Sequence, residues 1–113
     1  MPNQKIDQIF RAFADETRLR ILHLLKRKEE LCVCELIDIL RIGQSKVSRH
    51  LAYLKKAGLV KDRKDGLWSH YSLIRPKGKF HGRLIACLDE CFSEVSILKK
   101  DANTLSCCKP ASK

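Results

Sequence analysis

Val33-Cys34-Glu35-Leu36-Ile37-Asp38-Ile39-Leu40-Arg41-Ile42-Gly43-Gln44-Ser45-Lys46-Val47-Ser48-Arg49-His50-Leu51 is the stretch on which the fold turns. Val33, Leu36, Ile37 and Leu40 recur at helical spacing, the pattern stops at Arg41-Ile42-Gly43, and Val47, Leu51 and Leu54 resume it in a second segment closed by Gly58. Apolar residues three and four apart lie on one helix face, and glycine stops a helix readily because it takes a left-handed backbone at little cost. Two short helices around a tight, glycine-containing turn predict a helix-turn-helix, with the second helix running from about residue 44 to 57.

Upstream, Ile6, Ile9, Phe10 and Phe13 make one apolar face of a first helix. Asp15 is placed to cap a second, from Glu16 to about Lys26, whose Leu19, Ile21, Leu22, Leu24 and Leu25 leave almost no polar side, so it belongs at the centre of the fold. Downstream the period changes from helical to alternating. Leu59 to Lys64 and Leu67 to Leu73 flank Asp65-Gly66, a hairpin signal that predicts a type I′ turn and hence a wing. After Pro76 and Gly78, the residues Leu84, Cys87, Leu88, Cys91, Phe92, Val95 and Leu98 form an apolar stripe expected on one long final helix. That stripe has no partner of its own length within the chain. It is therefore expected to be buried, with the first helix, against a second copy. The fold class expected is mainly α with a β-hairpin wing, a winged helix-turn-helix that dimerises through its terminal helices. Residues 1–98 are assigned to the DNA-binding and dimerisation domain and residues 99–113 to a mobile polar tail, and no internal repeat interrupts the pattern.

With 113 residues the chain makes one small domain, for which burial in a homodimer adds considerable stability. Its 23 Lys and Arg against 13 Asp and Glu give a net charge of +10, which favours a polyanionic partner. No apolar run approaches the roughly 20 residues that cross a bilayer, and the first residues lack a signal-peptide core, so no membrane partner and a cytoplasmic location are expected. In a reducing compartment, Cys32, Cys34, Cys87, Cys91, Cys107 and Cys108 read as metal ligands, reactive thiols or small core residues rather than a disulfide framework.

Between Arg41 and Lys64 stand eight basic residues and a single acid, Asp62. The outer face of the second helix of the motif presents Gln44, Ser45, Lys46, Ser48 and Arg49, with His50 beside them, a donor-rich set suited to phosphates and base edges. Lys61, Arg63 and Lys64 on the wing are placed to follow the flanking backbone. A charged helix face on its own is usually just a solvated one. Here it coincides with a helix-turn-helix and a hairpin, so double-stranded operator DNA is the expected partner.

These segments together resemble one family. Asp15-Glu16-Thr17-Arg18-Leu19-Arg20-Ile21-Leu22, Glu30-Leu31-Cys32-Val33-Cys34-Glu35-Leu36, Ser45-Lys46-Val47-Ser48-Arg49-His50-Leu51 with Leu54, and Ala57-Gly58-Leu59-Val60 are similar to the ArsR/SmtB family of metal-responsive winged-helix repressors, over residues 6 to about 98. The resemblance implies a homodimer that sits on an operator and dissociates when a toxic ion binds. The match is to the arsenic- and antimony-responsive branch, in which Cys-Val-Cys holds the metalloid, so As(III) or Sb(III) is the implied inducer at Cys32 and Cys34.

Thiophilic trivalent ions bind deprotonated sulfur, which suits clustered cysteines. Residues i and i+2 of a regular helix point to different faces, so one ion gripped by both Cys32 and Cys34 must distort the start of that helix and disturb the reading helix packed on it. The branch often adds a third thiol one turn on, where this sequence has Ile37 or Asp38, leaving a hydroxide, a small thiol or a distant sulfur as third ligand. The cadmium and lead sensors add cysteines from an N-terminal arm, and residues 1 to 31 contain none. The vicinal Cys107 and Cys108 form an auxiliary candidate site, whereas Cys87 and Cys91 read as packing residues. Asp89 and His81 lack the paired histidines of the zinc sensors, and His23, His50 and His70 show no ligand spacing. Competing readings keep the fold and change the trigger: a cadmium- or lead-responsive repressor, or a thiol-redox-responsive one. A thiol redox enzyme is disfavoured, because no anion-cradling loop or orienting base lies near either cysteine pair, and no cofactor or catalytic residue is assigned.

Overall fold

The computed structural model describes residues 6–76, 78–90 and 94–107, with the backbone alone at 89, 106 and 107. The elements run α1 (Ile6–Phe13), α2 (Glu16–Arg27), β1 (Leu31–Cys32), α3 (Val33–Leu40), α4 (Gln44–Lys56), β2 (Val60–Asp65), β3 (Trp68–Leu73), α5 (Lys79–Glu90) and α6 (Ser96–Cys107). The architecture is mainly helical with an antiparallel three-stranded sheet in the order β1-β3-β2, and α3 and α4 form the helix-turn-helix beside it.

α2 is the hub, as its nearly continuous apolar run requires. Asp15 caps it, accepting the Arg18 amide at 3.1 Å, and Ile21, Leu22, His23, Leu24 and Leu25 are all buried. α1, α3, α4, α5, α6 and β3 all pack on it. α4 ends in a Schellman arrangement: the amide of Leu59 donates to the Leu54 carbonyl and that of Gly58 to Lys55, both at 3.0 Å, with Gly58 at φ 81°. Leu54 and Leu59 are themselves buried, so this stop also sets the angle at which the wing leaves the helix.

Three local expectations are corrected. The helix-turn-helix turn does not rely on Gly43. Arg41 takes the left-handed conformation (φ 61°, ψ 39°) that ends α3, whereas Gly43 has φ −68° and serves as the N-cap of α4. The hairpin loop is Gly66-Leu67, because Asp65 pairs with Trp68. Only Gly66 has positive φ there (64°), the pattern of a type II′ turn rather than I′. The long final helix is two helices, α5 and α6, since the chain turns at Glu94 and Val95.

The tail boundary moves with that last correction. Residues 99 to 107 are helical, so a division at 98/99 falls inside α6. α6 folds back on α2 and α3, and its Asp101, 2% exposed, accepts two hydrogen bonds from the Arg20 guanidinium at 2.8 and 3.0 Å. The stripe is likewise divided. Ile85 and Leu88 are buried in the chain's own core, Leu84 and Cys87 are half-buried on α5, and Leu98 is buried on α6. Cys91, Phe92 and Cys108, with the side chains of Asp89 and Cys107, lie outside what is described.

Candidate DNA interface and thiol site

Val47, Leu51 and Leu54 turn inward from α4, which leaves Gln44, Ser45, Lys46, Ser48 and Arg49 exposed together. His50 is not on that face. Its ring is half-buried, 3.4 Å from an Arg18 guanidinium nitrogen and 4.0 Å from an Asp15 carboxylate oxygen, and burial pushes it below its ordinary pKa. Arg18, to which the sequence motif gives no role, is the bracket here. It donates to the carbonyls of Ala12 at 3.2 Å and Arg11 at 2.9 Å, and it lies 4.1 Å above the Tyr53 ring. One side chain thus fixes α4 against the end of α1.

On the wing, Lys61, Arg63 and Lys64 are exposed but do not share a face. Alternation along β2 puts Lys61 and Arg63 on one side of the sheet and Lys64 on the other with Asp62, whose carboxylate receives Lys55 of α4 at 2.8 Å. Lys64 is therefore the wing cation on the α4 side. Arg63 is held by Glu30 through two hydrogen bonds of 2.8 and 3.1 Å, which keep the Glu30 carboxyl below its usual range.

The thiols sit at a junction. Cys32 is extended (φ −86°, ψ 163°), ends β1 and is also the N-cap of α3, whereas Cys34 lies in the first helical turn. A capping box forms with sulfur in place of the usual hydroxyl: the Glu35 carboxylate accepts the Cys32 amide at 2.9 Å, and the Glu35 amide faces the Cys32 sulfur. Lys28 approaches the same carboxylate at 3.5 Å. Cys32 is 0% exposed and Cys34 half-buried. Burial pushes the Cys32 thiol up from its ordinary pKa, and the neighbouring Glu35 carboxylate adds to this.

β1 joins these thiols to the wing, a connection that helical periodicity does not reveal. Leu31 pairs with Tyr71 and Cys32 with His70 on β3, and His70 pairs in turn with Arg63 on β2. Directly opposite residues share a sheet face with Cβ atoms about 5 Å apart. Cys32, His70 and Arg63 therefore form one row across the sheet, and the Arg63 guanidinium reaches from it to Glu30. Among the described residues no three His, Cys, Asp or Glu side chains are gathered closely enough to hold a metal ion.

Residues 15–62, from the cap of α2 through the helix-turn-helix to the first residues of the wing, match the bacterial regulatory protein, arsR family. An uncharacterized HTH-type transcriptional regulator of Methanocaldococcus jannaschii is 45% identical over 87 residues, 77% of this chain and 94% of that protein. The chain belongs to the arsR family. Two further proteins are similar to it. The arsenical resistance operon repressor of Escherichia coli K12 is 54% identical over 66 residues, 58% of this chain and 56% of the repressor. HlyU from Vibrio cholerae superposes with a TM-score of 0.67 at 34% identity, covering 77% of this chain and 90% of HlyU. This arsR-family chain is thus a DNA-binding regulator of winged-helix fold. No helix among its described residues is long and apolar enough to cross a membrane.

Proposed function

We propose that the protein is a homodimeric repressor that leaves its operator when As(III) or Sb(III) binds Cys32 and Cys34. The observation that carries this reading is the place of Cys32, which is simultaneously the last residue of the wing sheet's edge strand and the cap of α3. A trivalent metalloid hydroxide exchanges hydroxide for thiol, forming an As–S bond and releasing water at each step. Two such bonds from residues 32 and 34 need both sulfurs on one ion, and Cys32 has its sulfur fully buried against the Glu35 cap. Closing the chelate therefore costs the capping box, the β1–β3 pairing or both.

Either loss reaches a DNA-facing element. α3 packs on α4, and β1 is hydrogen-bonded to the central strand of the wing. The route through α3 is the one the periodicity implies; the route through β1 is new and equally short. Clustered thiols suit a thiophilic trivalent ion, and the E. coli relative is an arsenical resistance repressor.

The dimer surface is best supplied by α1 and α5. Ile6 and Phe10 stay half-exposed on α1, with the Phe10 ring edge-on to Phe80 of α5 at 5.4 Å and 70°. Half-buried Leu84 follows one turn on from Phe80. Buried Leu88, expected at the seam from its place in the stripe, belongs to the intrachain core instead.

Arsenic X-ray absorption tests the site directly. Two sulfur neighbours are expected in the wild type and at most one in Cys32→Ser or Cys34→Ser. Unchanged sulfur coordination in the double variant would place the metalloid elsewhere.

A further inference from the structure

The tip of the wing carries an apolar pair that neither the core nor the turn requires. Leu67 is 101% exposed and Trp68 beside it 39% exposed. A type II′ loop needs glycine first, which Gly66 supplies, and usually takes Asn, Asp or Ser second. Leucine there gains nothing from folding. A single exposed leucine is ordinary on any surface, so location must decide whether this one has a use. The flanks carry free cations: Lys64 stands one residue behind Asp65 on the α4 side of the sheet and Lys61 lies on the other side, where Arg63 is taken up by Glu30.

Reach is the second argument. β2 begins four residues after α4 ends, and the Lys55–Asp62 ion pair of 2.8 Å ties the first half of the strand to that helix. Six strand residues at about 3.3 Å each carry the tip about 20 Å from there. Half a turn of B-DNA, the offset from a major groove holding α4 to the next minor groove, is about 17 Å. The minor groove is about 6 Å wide, enough for one aliphatic side chain between phosphate rows that Lys64 would meet.

We propose that Leu67 is a wedge that enters the minor groove flanking each half-site and partly unstacks a base step, with Trp68 closing the mouth of the groove. The wing then reads deformability as well as backbone, and favours a flexible pyrimidine–purine step where its tip lands. This rests on DNA binding by the fold and is independent of the thiol reading.

The test uses the full-length chain and a 40-base-pair duplex that it selects from a randomised pool. 2-Aminopurine is placed at the flanking step, and dyes on the duplex ends report bending. Wild type is expected to raise the 2-aminopurine fluorescence and shorten the dye-to-dye distance. Leu67→Ser, at a side chain that touches nothing in the fold, is expected to abolish both signals and weaken binding about tenfold per wing, the loss of one buried leucine. Leu67→Met should restore them. Equal bending and equal 2-aminopurine signal in Leu67→Ser would overturn the proposal. So would a change in sedimentation of the DNA-free Leu67→Ser protein, which would assign the tip to a protein contact.

Discussion

Arg41 closes α3 from the left-handed region, where a β-carbon meets the following carbonyl and costs about 1 kcal/mol or more. Glycine removes that clash but adds freedom to the unfolded chain, so Arg41→Gly should stabilise by about 0.5–1 kcal/mol, read as a raised urea midpoint at unchanged slope. Gly43→Ala should be tolerated, since Gly43 has φ −68° and open space where a Cβ would stand. The ordering is the reverse of what a glycine in a turn suggests. His50 gives a pH signature at the same scale. Partial burial of its ring, opposed by Asp15 and aided by Arg18, Lys46 and Arg49, holds it below the ordinary value of 6.5, so the fold favours the neutral form. Its contribution is present above about pH 6.5 and is lost as pH falls through the lowered value. Thermal melts should show stability falling below pH 6.5, with a shallower fall in His50→Gln; identical profiles would contradict the packing described.

At the scale of elements, α6 is the clearest departure from expectation. Lys99-Lys100-Asp101 and Asn103-Thr104 read as a polar tail, yet Leu98, Asp101 and Leu105 fall on one face, and the charge in the middle is matched by Arg20 from α2. A pairing across 81 positions of sequence cannot be seen in the local pattern. Asp101→Ala leaves Arg20, 15% exposed, with a charge its surroundings cannot hydrate, and should cost about 3 kcal/mol. Hydrogen exchange should then rise through α6 before it rises in α2. The helix-turn-helix and the hairpin were legible because caps, glycine stops and periodicity are short-range signals. β1 was not, because two residues carry no period, and with it went the pairing of Cys32 to His70. The single long final helix failed for a related reason: an apolar stripe continues across a turn whenever both helices face one core.

At the scale of the whole molecule, the proposed dimer needs a seam. Phe10 is half-exposed within one chain, so Phe10→Glu should leave the fold intact by circular dichroism while sedimentation shows monomers. DNA affinity should fall with it, because two half-sites are then no longer engaged together. A stable Phe10→Glu dimer would assign the seam to another surface. Release by an ion at the strand-to-helix junction, as proposed, requires tight ion binding by the DNA-free conformation only. Fluorescence anisotropy of a labelled, selected duplex against arsenite measures this directly. Wild type should release the duplex. Cys32→Ser and Cys34→Ser should bind it with near-native affinity and fail to release it, and replacing both Cys107 and Cys108 by Ser should leave release largely intact. Full arsenite response in the Cys32→Ser, Cys34→Ser double variant would contradict the account and move the sensor away from the junction.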